Sequence, residues 1–143
     1  MHAWPTFWVY FQASLQFLYL PPFCIPSVVF AASAAVPVVR RRLPFSELWV
    51  RTYPTLLAQS LLYIATLALG AVYAFDWNYP ASGSNAWALR AVALTLFLSV
   101  GLSVYWIATM KGQRWFAISL AALQLWLLLG ANHIAWVAIL GKA

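Results

Sequence analysis

The sequence predicts an all-α integral membrane protein: a small bundle of four transmembrane helices, preceded by an N-terminal helix that is interfacial or partly inserted. Two observations lead to this fold class. Only 7% of the 143 residues are charged and 65% are hydrophobic, whereas soluble domains carry about 25% charged residues. The few charges also cluster at the ends of long apolar runs. Lipid must therefore surround most of the chain, which we expect to form a single domain over residues 1–143.

The first 39 residues contain the longest uncharged run, from Ala3 to Val39. A single helix of this length would extend about 55 Å, far beyond a hydrocarbon core of roughly 30 Å. The Pro21-Pro22 pair is the natural break, because proline lacks a backbone donor and clashes with the preceding turn. We predict an interfacial helix at about 5–19, rich in Trp and Tyr, and a first span at about 22–39. The alternative is two spans joined by a prolyl hairpin.

The remaining spans follow from the positions of charges and turn residues. Residues 40–53 are predicted to form a basic loop with at most a short surface helix, and Pro54 suits the first turn of the second span. Residues 76–85 are dense in Pro, Gly, Asn and Ser and predict a turn. A short basic loop follows the third span. The predicted spans are about 54–75, 87–110 and 115–140.

The distribution of charge predicts the orientation of these spans. One side carries Glu47 and six basic residues, for a net charge of +5: Arg40, Arg41, Arg42, Arg51, Lys111 and Arg114. The other side carries Asp76, Arg90 and Lys142, for a net charge of +1. The positive-inside rule places the first group in the cytoplasm and both termini outside, in what we expect to be a bacterial inner membrane. Arg40–Arg42 and Arg51 could then contact anionic lipid or an acidic cytoplasmic partner.

Small and weakly polar residues at helical spacing predict where the spans touch one another. The last span has two such faces, on opposite sides, whereas a peripheral helix needs only one. Either both faces pack within this chain, or one face contacts a partner chain or a second copy. The residues predicted to contact another helix or a partner are Gln59, Thr66, Ser99, Ser103, Gln124, Trp126 and Gly130.

The sequence argues against catalysis by this chain alone. No predicted span contains Asp or Glu, which proton relays and carboxylate-bridged metal sites usually need. Asp76 and Glu47 are predicted on opposite sides of the membrane, and the lone cysteine, Cys24, excludes an internal disulfide. We predict no metal site. The net charge of +6 does not indicate nucleic-acid binding, because the basic residues terminate apolar runs.

His133 is the candidate ligand-binding side chain of the last span, with Asn132 beside it and Arg90 on the same predicted side. A neutral histidine can donate to a quinone carbonyl or ligate haem iron, and His2 is the only other histidine for a haem pair. The alternatives are a histidine bonded to a neighbouring helix and an arginine that reaches the lipid head groups. Haem or quinone is thus a possible cofactor, with none required.

These observations favour a non-catalytic integral subunit or accessory protein of a larger membrane complex, such as an energy-transducing one. Its partners would be lipids and other membrane subunits, or further copies of the chain. One alternative is a small-molecule transporter, channel or lipophile-binding protein that acts as a homo-oligomer. Another is a haem- or quinone-binding membrane anchor that uses His133.

Overall fold

The computed structural model describes residues 3–21, 23–39, 45–75 and 85–140, and their regular structure is entirely helical. Three helices are long and apolar enough to cross a membrane, over Val50–Val72, Ala86–Thr109 and Arg114–Leu140. The predicted all-helical character is therefore confirmed for the described residues, and the three long apolar helices support the predicted membrane protein. The five helices are α1 (Ala3–Tyr19), α2 (Cys24–Val39), α3 (Phe45–Phe75), α4 (Asn85–Thr109) and α5 (Arg114–Leu140).

The helix in the first predicted span is shorter than a typical membrane crossing. α2 has 16 residues, which corresponds to about 24 Å of helix against a hydrocarbon core of roughly 30 Å. It begins at Cys24 rather than at residue 22. The last two predicted spans agree with α4 and α5 to within two residues at each end.

α1 and α2 are joined by a tight turn at Leu20–Phe23. Leu20 N–H donates to the Gln16 carbonyl at 2.8 Å, and Cys24 N–H donates to the Leu20 carbonyl at 3.0 Å. Helical hydrogen bonding therefore stops only briefly, at a place where Pro21 has no N–H to donate.

α1 and α2 run in the same direction, one after the other, along α3, α4 and α5. They do not fold back on each other as the two helices of a prolyl hairpin would. The first turns of α1 lie beside Ala71 and Val72, near the C-terminal end of α3. Ala34 of α2 packs with Met110 and Phe116, where α4 ends and α5 begins. These two places are at opposite ends of the helices, so α1 and α2 together extend from one end to the other.

The prediction of a loop over residues 40–53 is wrong for residues 45–53, which are the first turns of α3. Pro54 lies inside this 31-residue helix. Proline usually ends a helix because it clashes with the carbonyl four residues earlier, here that of Val50. The helix continues because Leu48 is buried in a cluster with Trp106 and Met110, which fixes these turns against α4. Residues 40–44 and 76–84 lie outside the described residues.

α5 is the central helix and packs against α1, α2, α3 and α4. It approaches α3 closely at one point, where a Cβ added to Gly70 would lie 2.9 Å from the Cα of Ala135. On its second small-residue face Ser119 and Gly130 are buried and His133 is exposed, and the Trp126 ring lies 6.3 Å from that of Phe23. α5 therefore contacts helices of this chain on several sides, and contact of one of its faces with a partner chain stays a prediction.

Candidate functional site

Two adjoining cavities lie between α1 and α3. The first has a volume of about 510 Å³ and is bounded by the aromatic face of α1 and the C-terminal half of α3. The second has a volume of about 300 Å³ and lies where α1, α3 and α5 meet. Because Phe11 and Ile64 line both, we describe them as one feature, the α1–α3 groove. Its lining residues are Trp4, Phe7, Trp8, Phe11, Leu15, Gln59, Ser60, Tyr63, Ile64, Ala68, Ala71, Val72, Gln124 and Leu127.

The α1 wall of the groove is aromatic. Trp4, Phe7, Trp8 and Phe11 recur with the three- and four-residue spacing of one helix face. The rings of Trp4 and Phe7 stack with centroids 5.7 Å apart, and those of Trp8 and Phe11 meet edge to face at 5.6 Å. Phe11 also meets the Tyr63 ring of α3 at 6.1 Å. The aromatic side chains therefore form a continuous wall that faces α3.

The other end of the groove is polar, and two of its side chains are fully engaged in hydrogen bonds. The Gln59 amide nitrogen donates to the Ser99 carbonyl and to the Ser103 hydroxyl, both at 3.0 Å. The Gln59 carbonyl accepts the hydroxyl of Ser99. The Ser14 hydroxyl donates to the Phe11 carbonyl at 2.8 Å, so the Tyr63 hydroxyl donates to Ser14. These bonds hold α1, α3 and α4 around the polar end.

Gln124 differs from its neighbours, because its side-chain carbonyl oxygen is buried and has no hydrogen-bond partner among the described residues. Leaving such an acceptor unpaired in a buried place costs about 1–3 kcal/mol. This oxygen has almost no accessible surface, so a molecule in the groove does not reach it. The groove therefore combines a long apolar section with a polar end formed by Gln59, Ser60, Tyr63 and Gln124.

The polar end of the groove lies deep within the helices. Gln124 is ten residues beyond the start of α5, which corresponds to about 15 Å, half of a roughly 30 Å hydrocarbon core. Along α3, the groove extends from Gln59 to Val72, a distance of about 20 Å. A molecule in the groove would therefore have its polar end near the middle of the membrane.

The other residues predicted to make helix contacts lie at interfaces or beside them. Thr66 and Thr95 are buried and share a hydrogen bond of 2.8 Å across α3 and α4. Gln59, Ser99 and Ser103 form the network just described. Gly130 is buried in α5, and Trp126 beside α2 is partly buried.

The predicted ligand residues of the last span do not line the groove. Asn132 is only 8% exposed, and its amide nitrogen donates to the Leu128 carbonyl at 3.1 Å within α5. His133 and Arg90 are exposed on α5 and α4, while His2 lies outside the described residues. In the described part of the chain, no cluster of three or more His, Cys, Asp or Glu side chains could hold a metal. Arg51 is exposed on the first turns of α3.

Sequence reasoning missed the role of Ser14, which lies in the helix at about 5–19 that was predicted to be interfacial or partly inserted. The signal that could have placed it is its spacing from Phe7 and Phe11, which puts all three on one helix face. Ser14 is fully buried and bonded to Tyr63. A buried hydroxyl on an aromatic face indicates a packed helix.

The groove lining is uncharged, because none of its residues is Asp, Glu, Lys or Arg. It offers amide and hydroxyl groups together with aromatic and aliphatic surface, which suits reversible binding of an apolar molecule. No protein-family model, no curated protein and no solved structure matches this chain.

Proposed function

We propose that this protein is a non-catalytic integral membrane protein that binds a lipophilic small molecule in the α1–α3 groove. The observation that carries the proposal is the groove itself, in which an apolar, aromatic section leads to a polar end at Gln59, Tyr63 and Gln124. The groove opens to the lipid-facing surface, since Trp4, Ile64 and Val72 along its rim are exposed. A ligand could therefore enter from the bilayer without passing through water.

We propose further that α1 and α2 together form a fourth, discontinuous crossing beside α3, α4 and α5. Neither helix has the length of the three long spans, but together they extend from one end of the other helices to the other. Non-helical backbone at membrane depth needs its polar groups paired, and the Leu20 carbonyl accepts the N–H groups of Phe23 at 2.7 Å and Cys24 at 3.0 Å. The turn at Leu20–Phe23 is near the polar end of the groove, because Leu15 lines that end and Phe23 meets Trp126.

The orientation that we propose follows the charge distribution, with the α4–α5 turn in the cytoplasm of a bacterial cell and the α3–α4 connection outside. In a Cys24→Ala background, we expect Ser82→Cys to react with a membrane-impermeant maleimide in intact spheroplasts. Lys111→Cys is exposed on the α4–α5 turn and should react only after lysis. Labelling of Lys111→Cys in intact spheroplasts would overturn the orientation without affecting the groove.

Filling the groove should prevent ligand binding. We expect Ala68→Phe to reduce photo-crosslinking of a diazirine-bearing stearyl alcohol about tenfold, because the new ring occupies the apolar section between α1 and α3. The measurement is the fraction of protein crosslinked in phosphatidylcholine nanodiscs, with the modified peptides mapped by mass spectrometry. In the unsubstituted protein, the modified residues should lie in α1 and in the C-terminal half of α3.

The control for this experiment is Ala108→Phe, which makes the same change at an exposed position of α4 outside the groove. It should crosslink as the unsubstituted protein does. Equal crosslinking in Ala68→Phe and Ala108→Phe, or modification spread evenly over all exposed helix faces, would contradict binding in the groove.

A role as a subunit of a larger membrane complex remains the second candidate, and the exposed surface of α2 supports it. This helix packs against α5 and α1 and leaves Ala31, Ala32 and Ala35 exposed. Small residues let another helix approach closely within a membrane. Native mass spectrometry of the same purified sample separates the candidates, since a stoichiometric protein partner favours the subunit and a bound lipophile favours the groove.

A further inference from the structure

We infer that the ligand of the α1–α3 groove carries a neutral carbonyl group at its inner end, which accepts hydrogen bonds from the side-chain amide of Gln124 and the hydroxyl of Ser60. The remainder of the ligand is an apolar chain. This inference rests on the proposed lipophile-binding function and specifies the chemistry of its ligand. It is carried by two polar side chains of the groove that the protein itself leaves unengaged.

The inner end of the groove offers two free hydrogen-bond donors. Of the two polar atoms of the Gln124 side chain, the oxygen is the buried one, and the amide N–H group faces the groove. No hydrogen bond joins this N–H, or the hydroxyl of the exposed Ser60, to another described residue. The donors of Gln59 and Tyr63 are already used, by groups of α4 and α1. A ligand at this end therefore meets N–H and O–H groups that need an acceptor.

Gln124 and Ser60 lie at nearly the same depth in the membrane. α3 and α5 both run antiparallel to α4, so they are parallel to each other, and they meet at Gly70 and Ala135. Ser60 precedes Gly70 by ten residues and Gln124 precedes Ala135 by eleven. The two donors thus differ in height by about one residue of helix rise, about 1.5 Å. Since both residues line the same cavity, one ligand group can meet both.

A carbonyl oxygen is the neutral group that matches this pair of donors. It has two lone pairs, one for each donor, and brings no proton that would itself need an acceptor. A hydrocarbon end would leave both donors unpaired where water is excluded, which is unfavourable. The ester carbonyls of bilayer lipids lie at the interface, about 15 Å from the middle of the membrane. The ligand is therefore a lipophile distinct from the bilayer lipids.

The ligand is uncharged because no residue that lines the groove is Asp, Glu, Lys or Arg. An ion placed near the middle of the membrane without a partner is strongly disfavoured. A carboxylate or sulfonate would offer acceptors to the two donors but would leave its own charge unpaired. The acceptor is therefore neutral.

The orientation of the ligand follows from the two ends of the groove. Its carbonyl group lies between α3 and α5, beside Gln124 and Ser60, and its apolar chain extends along Ile64 and Ala68 towards Trp4. The aromatic face of α1 covers this chain. A single unbranched chain fits a groove about 20 Å long between two helices.

The test is competition against the diazirine-bearing stearyl alcohol for crosslinking in phosphatidylcholine nanodiscs. The unlabelled competitors are octadecyl methyl ketone, octadecane and octadecyl sulfonate, which share one chain and differ in their polar end. We expect the ketone to displace the alcohol at about a tenfold lower mole fraction than octadecane does, which corresponds to about 1.4 kcal/mol. The sulfonate carries acceptors and a fixed charge and should not displace it.

The decisive variants remove the two donors. Ser60→Ala and Gln124→Leu should each reduce the ketone-to-octadecane ratio to about three, and the double variant should reduce it to about one. Displacement by octadecane should stay unchanged, which shows that the groove is intact, and Ser60→Ala alters an exposed position. Equal displacement by ketone and octadecane in the unsubstituted protein, an unchanged ratio in the double variant, or strongest displacement by the sulfonate would each overturn the inference.

Failure of the inference is distinguishable from failure of the proposed function. If Ala68→Phe prevents crosslinking of the alcohol but ketone and octadecane displace it equally, the groove is the binding site and its donors do not select a carbonyl. If crosslinking of the alcohol does not depend on Ala68, the groove does not bind such lipophiles and both proposals are wrong.

Discussion

Replacing Gly70 with leucine is expected to destabilise the protein by about 3 kcal/mol, the upper part of the usual range for overpacking. Even the first carbon of a side chain at this position would lie 2.9 Å from the Cα and 3.0 Å from the Cβ of Ala135. The Ala135 backbone cannot rotate away as a flexible side chain can. α3 and α5 must therefore move apart, and α5 contacts every other helix. The free energy of unfolding is measured by steric trapping in lipid bicelles.

The matched control is Gly101→Leu, because a Cβ added to Gly101 meets no atom within 4 Å. This position is exposed on α4, where leucine in place of glycine gains about 0.5–1 kcal/mol of helix propensity. Similar stabilities for the Gly70→Leu and Gly101→Leu proteins would contradict the close approach of α3 and α5.

The second large effect is expected at Trp106, which is only 1% exposed. Trp106→Ala should cost about 3–5 kcal/mol, since the cavity it leaves removes contacts with Leu48, Met110 and Phe116. Lipid does not recover this loss, because packing rather than exclusion from water holds membrane helices together. The same unfolding measurement applies.

Trp106→Phe separates packing from hydrogen bonding at this position. The indole N–H is buried and has no partner among the described residues, and such a group costs about 1–3 kcal/mol. Phenylalanine removes the cost of the unpaired N–H but fills less of the space than the indole ring. We expect this gain and the loss of packing nearly to cancel, so that the free energy of unfolding changes little. A loss as large as that of Trp106→Ala would show that the N–H has a partner. Trp115→Ala, at an exposed position of α5, should change stability by less than about 0.5 kcal/mol.

The correct and incorrect predictions differ in the kind of information they required. α4 and α5 were predicted to within two residues because charges and turn residues mark their ends. The start of α3 was predicted incorrectly, since a proline normally indicates a boundary and the burial of Leu48 against Trp106 is not visible in a local pattern. The central place of α5 could not be predicted either. Two small-residue faces indicate that two other helices pack against α5. They do not show whether those helices belong to this chain or to a partner.

The candidate site was predicted only in part, for the same reason. Gln59 and Gln124 were recognised as polar residues in apolar helices, which usually contact another helix. Their difference lies in the partners that each finds: Gln59 bonds Ser99 and Ser103 across α4, whereas the Gln124 carbonyl stays unpaired. His133, the sequence-based candidate, is exposed away from the groove.

Composition and charge by themselves predicted a helical membrane protein with long apolar spans, because the cost of placing charge and unpaired backbone in lipid depends on residue type alone. Only the tertiary structure decided that α1 and α2 follow one another beside α3, that α5 is central, and that a groove ends at Gln124. Those features depend on contacts between side chains that are far apart in the sequence, such as Ser14 with Tyr63 and Phe23 with Trp126. Such contacts are set by packing and hydrogen-bond partners that a local pattern does not specify.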